Sequence, residues 1–66
     1  MILLVRNQWE QIFLVRNGVN VNIIASNGNR QIKTSESFAN DSEAEDGVNN
    51  MILKAMLYGF QLVQQS

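Results

Sequence analysis

The sequence contains no cysteine and no histidine. The first absence excludes disulfides, and the two together exclude a structural zinc site built from thiolates or imidazoles. An all-carboxylate site would suit only a hard cation. No Ser-His or Cys-His pair can exist, and no imidazole is present to move protons near neutral pH. Carboxylate or lysine chemistry is left, and no motif points to it. The chain therefore reads as non-enzymatic, with no cofactor.

Charge is also scarce: 17% of residues are charged and the formal net charge is −1. That balance gives no general signal for nucleic acid or an anionic membrane. The distribution is bipolar. Residues 1–35 carry Arg6, Arg16, Arg30 and Lys33 against Glu10, and residues 36–46 carry Glu36, Asp41, Glu43, Glu45 and Asp46 with no cation. Long apolar runs are missing. The run at residues 1–5 stops at Arg6, short of the roughly 7–15 residues of a secretory core or the roughly 20 of a membrane span. The expectation is a soluble cytoplasmic protein with no membrane partner.

Sixty-six residues make a single domain, residues 1–66. Chains of this size bury only roughly 60% of the surface that their unfolded form exposes. They usually need disulfides, a metal or a partner subunit. With the first unavailable and a thiolate or imidazole metal site excluded, a homo-oligomer is the best remaining way to enlarge the core.

What is present is a series of short apolar runs separated by turn residues. Residues 1–5 suit a strand buried on both faces or inside an oligomer interface. Residues 11–16 form a second run, ending at Asn17-Gly18, a strong hairpin signal of the type I′ kind. In the third run Val19, Val21, Ile23 and Ala25 alternate with Asn20 and Asn22. Asn27-Gly28, widened by Asn29, marks a second hairpin. The fourth run, residues 30–35, is the most polar and suits a sheet edge. Residues 2–7 and 12–17 are near-copies, read here as shared strand composition because true repeats have longer periods.

A helix follows. Asn40 is a good N-cap, with Glu43 three residues on. Asp41, Glu43, Glu45 and Asp46 lie at the positive end of the helix dipole. Ala44, Val48, Met51, Ile52 and Ala55 share one apolar face. Gly47 costs roughly 1 kcal/mol in a helix relative to Ala, which suggests close approach to the sheet or another backbone. Gly59 suits the position after the C-cap, and residues 60–64 read as a last short strand. An alternative ends the helix near Leu53 and starts the strand near Met56.

Asn27-Gly28, then residues 32–36 (Ile-Lys-Thr-Ser-Glu), Phe38, Asn40 and residues 44–48 (Ala-Glu-Asp-Gly-Val) resemble the YegP-like family of small proteins, domains of unknown function 1508. The resemblance covers residues 23–51. Phe38 stands where the family usually has Tyr, Asn29 looks like an extra turn residue, residues 1–7 look like an addition, and the helix is acidic where the family's is Lys-rich. The resemblance implies a three-stranded antiparallel meander, a helix and a final strand, so with the runs read above the expected fold is α+β: an antiparallel β-meander of three to four strands, one helix and a C-terminal strand. It also implies a strand-swapped homodimer with one continuous sheet. It implies no biochemical activity.

The candidate binding residues are Arg6, Trp9, Arg16, Arg30 and Lys33. The candidate dimer seam comprises Leu3, Val5, Gly47, Met51, Tyr58, Phe60 and Leu62. Trp9 and Tyr58 could stack on a ring, but core or seam filling explains them more simply. The basic residues could bind an anion or nucleic acid, yet strand alternation can divide them between faces. The acidic block could bind a cation or mimic a nucleic-acid backbone, although the helix dipole accounts for it more cheaply. The leading expectation is a small dimeric interaction module, in the manner of a phage or mobile-element inhibitor or regulator, that binds itself and a protein partner. The alternative is nucleic-acid or nucleotide binding on the basic strands.

Overall fold

A computed structural model describes residues 1–65. In chain order the elements are β1 (Ile2–Arg6), β2 (Glu10–Asn17), β3 (Asn20–Asn27), β4 (Arg30–Ser37), α1 (Asp41–Leu57) and β5 (Gln61–Gln65). All five strands form one antiparallel sheet in the order β4-β3-β2-β1-β5, with α1 on one face. The fold is α+β. The first four strands form a meander, and the chain then crosses the sheet through α1 to add β5 at the far edge.

The near-copies at residues 2–7 and 12–17 lie side by side. Ile2 faces Leu14 and Leu4 faces Ile12, so matching branched residues meet across the ladder. β1 is thus a central strand of the sheet, between β2 and β5. A register shift between Leu3 and Leu4 opposite β5 leaves Val63 as the extra residue of a bulge, which shortens the regular part of that edge.

Both hairpin turns differ by one residue from the sequence expectation. Asn17 pairs with Asn20, and Asn27 with Arg30. The two-residue loops are therefore Gly18-Val19 and Gly28-Asn29. Gly18 has φ 66° and Gly28 φ 61°, while none of Asn17, Val19 or Asn29 has positive φ. Positive φ at the first central residue alone is the type II′ pattern, not type I′. The physical reason is plain at Val19, whose branched Cβ disfavours the left-handed conformation that a type I′ turn would demand.

The helix is capped at both ends. The Glu43 N–H donates to Asn40 Oδ1 at 2.9 Å. At the other end the Phe60 N–H donates to the Ala55 carbonyl (3.1 Å) and the Gly59 N–H to that of Met56 (3.0 Å), with Gly59 at φ 96°. This is a Schellman motif, and Phe60 packs back on the core beside Ala55. The helix runs its full length to Leu57, so the shorter alternative is not adopted.

The core is small: Leu4, Leu14 and Val21 from the sheet, and Ala44, Val48, Ile52 and Ala55 from α1. Ile2, Ile12, Ile23, Phe38, Met51 and Phe60 pack around it, half-buried. Five strands spaced ~4.8 Å apart make a sheet roughly 24 Å wide, whereas a helix is only ~10 Å across. One helix therefore covers the middle of one face. Every residue of β4 stays exposed, and among the described residues no element lies over the opposite face.

Candidate interaction surfaces

Residues paired across a ladder share a face. On the helix side this places Ile2, Leu4 and Arg6 of β1, Glu10, Ile12, Leu14 and Arg16 of β2, Val21, Ile23 and Ala25 of β3, and Arg30, Ile32, Thr34 and Glu36 of β4. The open side receives the other parity. Leu3, Phe13 and Ile24 form a row across β1, β2 and β3, ending in Lys33 on β4 and Gln64 on β5. Val5 and Val15 flank that row along their strands. Around them stand Gln11, Asn22, Ser26, Gln31, Ser35 and Gln61. Among the described strand residues, Lys33 is the only charged one on this face.

The basic residues do not converge. Arg6 is engaged inside the fold. Its Nε donates to Glu10 Oε1 at 3.1 Å and its Nη2 to Glu10 Oε2 at 2.7 Å. Its Nη1 donates to the Tyr58 carbonyl, and the guanidinium lies 4.5 Å from the Phe60 ring centroid. The hydrogen bonds to Glu10, and then its charge, raise the Arg6 pKa further against an opposing desolvation. Glu10 is in turn held below its ordinary carboxylate value, chiefly by the hydrogen bonds from Arg6, with burial opposing and Asn7 Nδ2 (2.7 Å) assisting. The pair closes the β1–β2 turn and ties it to the end of α1. Arg16 donates to the Gly18 carbonyl at 3.1 Å and stands 3.8 Å from Asp41 at the start of α1. Arg30 is exposed on the helix side and Lys33 on the open side. Trp9 is exposed in the β1–β2 loop.

The seam residues are divided as well. Leu3 and Val5 lie on the open face. Gly47 turns inward against the Phe38 ring, so its close approach is to an aromatic side chain, not to a backbone. Met51 and Phe60 pack on the core. Leu62 faces Leu4 across β5, and Tyr58 is exposed at the helix end.

Two further apolar surfaces lie on the helix side. On α1, Leu53, Met56 and Leu57 are exposed at i, i+3, i+4 spacing, with Leu57 at 86% of its full accessibility. Over β2, β3 and β4 a cavity of about 280 Å³ is lined by Ile12, Ala25, Ile32 and Phe60 together with Glu10 and Arg30. Among the described residues no group of acidic side chains is placed to hold a metal ion, and no helix is long and apolar enough to cross a membrane.

Sequence reasoning did not single out Phe13, Val15 or Ile24. The available signal was residues 12–15, Ile-Phe-Leu-Val, apolar on both parities and hence on both faces. It also missed the Arg6–Glu10 pair, whose signal is an acid and a base flanking one short turn. No family model, curated protein or solved structure matches this chain.

Proposed function

We propose that this protein is a small non-enzymatic interaction module that self-associates as a homodimer and binds another polypeptide. One observation carries the polypeptide-binding part of the reading, and the small core, covered by one helix, carries the self-association. The outward side of α1 presents Leu53, Met56 and Leu57, with Tyr58 at its end, a contiguous apolar stripe that the fold itself does not use. Exposed stripes of this kind on small domains mark contact with other chains, and helix stripes at this spacing dock into apolar grooves. Acidic residues earlier on the same helix would direct it toward a basic partner surface.

The relation to the YegP-like proteins is proposed on the motif in residues 32–48, and the meander, helix and final strand come in the order that this resemblance implies. β5 satisfies the β1 edge within one chain, and an exchanged β5 would make the same bonds between two copies. Self-association therefore does not require exchange.

The test has two parts. Sedimentation equilibrium over a concentration series should give a mass twice that of the chain, and a constant monomer mass would remove the homodimer. Capture from lysate should recover a saturable polypeptide partner that is lost with Leu53→Glu and Leu57→Glu. Recovery of none, or equal recovery by the variants, would remove the helix stripe as the recognition surface.

A further inference from the structure

We infer that the open face of the sheet is the surface through which two copies of this chain meet, packed face to face as a two-sheet sandwich about a twofold axis near Phe13. The inference rests on the self-association proposed above and names its interface.

Composition and charge argue for a second copy as the occupant. The centre of the face is apolar: Leu3, Phe13 and Ile24 in one row, with Val5 and Val15 beside them, all half-buried except the exposed Val15. Its surround is amide and hydroxyl, including Gln11, Asn22, Gln31 and Gln64. An apolar centre within a polar rim is the anatomy of a protein interface. The charged residues of the strands lie on the helix side, with Lys33 at the β4 edge the exception among those described. A charged partner would find almost no counter-charge there, whereas a second copy meets it without like-charge repulsion at the centre. Amides carry both donors and acceptors, so a rim of Gln and Asn can bond to its own twofold image.

Area supports the same occupant. A sheet roughly 24 Å wide with strands ~17–26 Å long offers a face large enough for two copies to hide on the order of 1,000 Å² together, about the minimum for a specific interface. Two such faces pack ~10 Å apart with side chains interdigitating. Phe13, in the middle strand of the sheet, is the aromatic anchor of the seam. The second sheet supplies the layer that one narrow helix on the other side cannot.

The experiment joins sedimentation with isotope-filtered nuclear Overhauser spectra of a wild-type sample mixed from labelled and unlabelled chains. The expected result is a dimer whose intermolecular contacts come from Phe13, Leu3 and Ile24. Phe13→Lys should weaken dimerisation about tenfold or more, while Leu57→Glu leaves it unchanged. The spectra decide the matter on unmodified protein even where Phe13→Lys fails to fold. Intermolecular contacts from Leu62 and Val63 (an exchanged β5), or from Leu53 and Leu57 (helix to helix), would overturn this interface and leave self-association standing. A monomer at every concentration up to about 1 mM, where even a millimolar contact registers, would overturn both.

Discussion

Gly47 and Phe38 occupy one another's space. A Cβ built at Gly47 would stand 2.5 Å from Phe38 Cε1, inside any real contact distance. The helix therefore accepts a glycine in its second turn so that the ring of the β4–α1 connection can lie beneath it. The Phe38 N–H in turn donates to the Val19 carbonyl at 2.9 Å, which links the helix start to the β2–β3 turn.

The substitution Gly47→Ala sets two effects against each other. Helix propensity favours Ala by about 1 kcal/mol, and forcing a methyl into occupied space costs about 1–3 kcal/mol. The expected sum is a loss of stability, measured by urea unfolding. The decisive comparison is Phe38→Leu with and without Gly47→Ala. With the ring removed, Gly47→Ala should become neutral or stabilising, and equal loss in both backgrounds would show that the ring is not the cause.

The Arg6–Glu10 pair gives an acid-range prediction. The folded-state pKa of Glu10 is depressed, so its contribution is present above the unfolded carboxylate pKa and is lost as pH falls through the lower folded value. Wild type should lose stability across this acid range more steeply than Glu10→Gln. Parallel pH profiles of the two in denaturant titrations would refute the linkage.

Leu4 is fully buried and belongs to the small core on the central strand β1. Leu4→Ala should cost about 2–5 kcal/mol. Against a total of roughly 3–10 kcal/mol for a chain of this size, at ~0.05–0.15 kcal/mol per residue, that is enough to unfold much of the population, visible as loss of the cooperative thermal transition. Ile32→Ala, at a 61% exposed position on the same side of the sheet, should change stability by less than about 1 kcal/mol.

Gly18 tests the turn type. Nothing lies within 4 Å of a Cβ built there, so any cost of Gly18→Ala is the backbone cost of φ 66° alone, about 1–2 kcal/mol. A synthetic chain with D-alanine at position 18 should keep wild-type stability or exceed it. Asn17→Ala should have little effect, because Asn17 is a paired strand residue and not a turn centre.

The elements themselves were legible in local chemistry. Alternating branched residues, glycines at the turns, Asn40 before an acidic first turn and Gly59 after the last are short-range instructions, and each acts within a few residues of itself. They also marked β4 as an edge strand and α1 as a helix with one apolar face. The turn register escaped by one residue because Asn-Gly can serve either primed turn, and only pairing across the strands, with Val19 unable to take positive φ, selects between them.

Which residues share a face, and which of them are covered, was decided by tertiary structure. Whether the apolar run at residues 12–15 is covered once or twice depends on how many layers the chain can supply, and one helix is too narrow and lies on one side only. That geometry buries Leu4 and Leu14 but leaves Leu3, Phe13 and Ile24 half-buried on the face without a helix. It also separates Arg6, held by Glu10, and Arg16, bonded to the Gly18 carbonyl, from Arg30 and Lys33 on opposite faces of an edge strand. The sequence alone determined a sheet and a helix to cover it. Only the fold determined that the cover is incomplete, because covering is a matter of width, and width is set by strands that the chain brings together from its two ends.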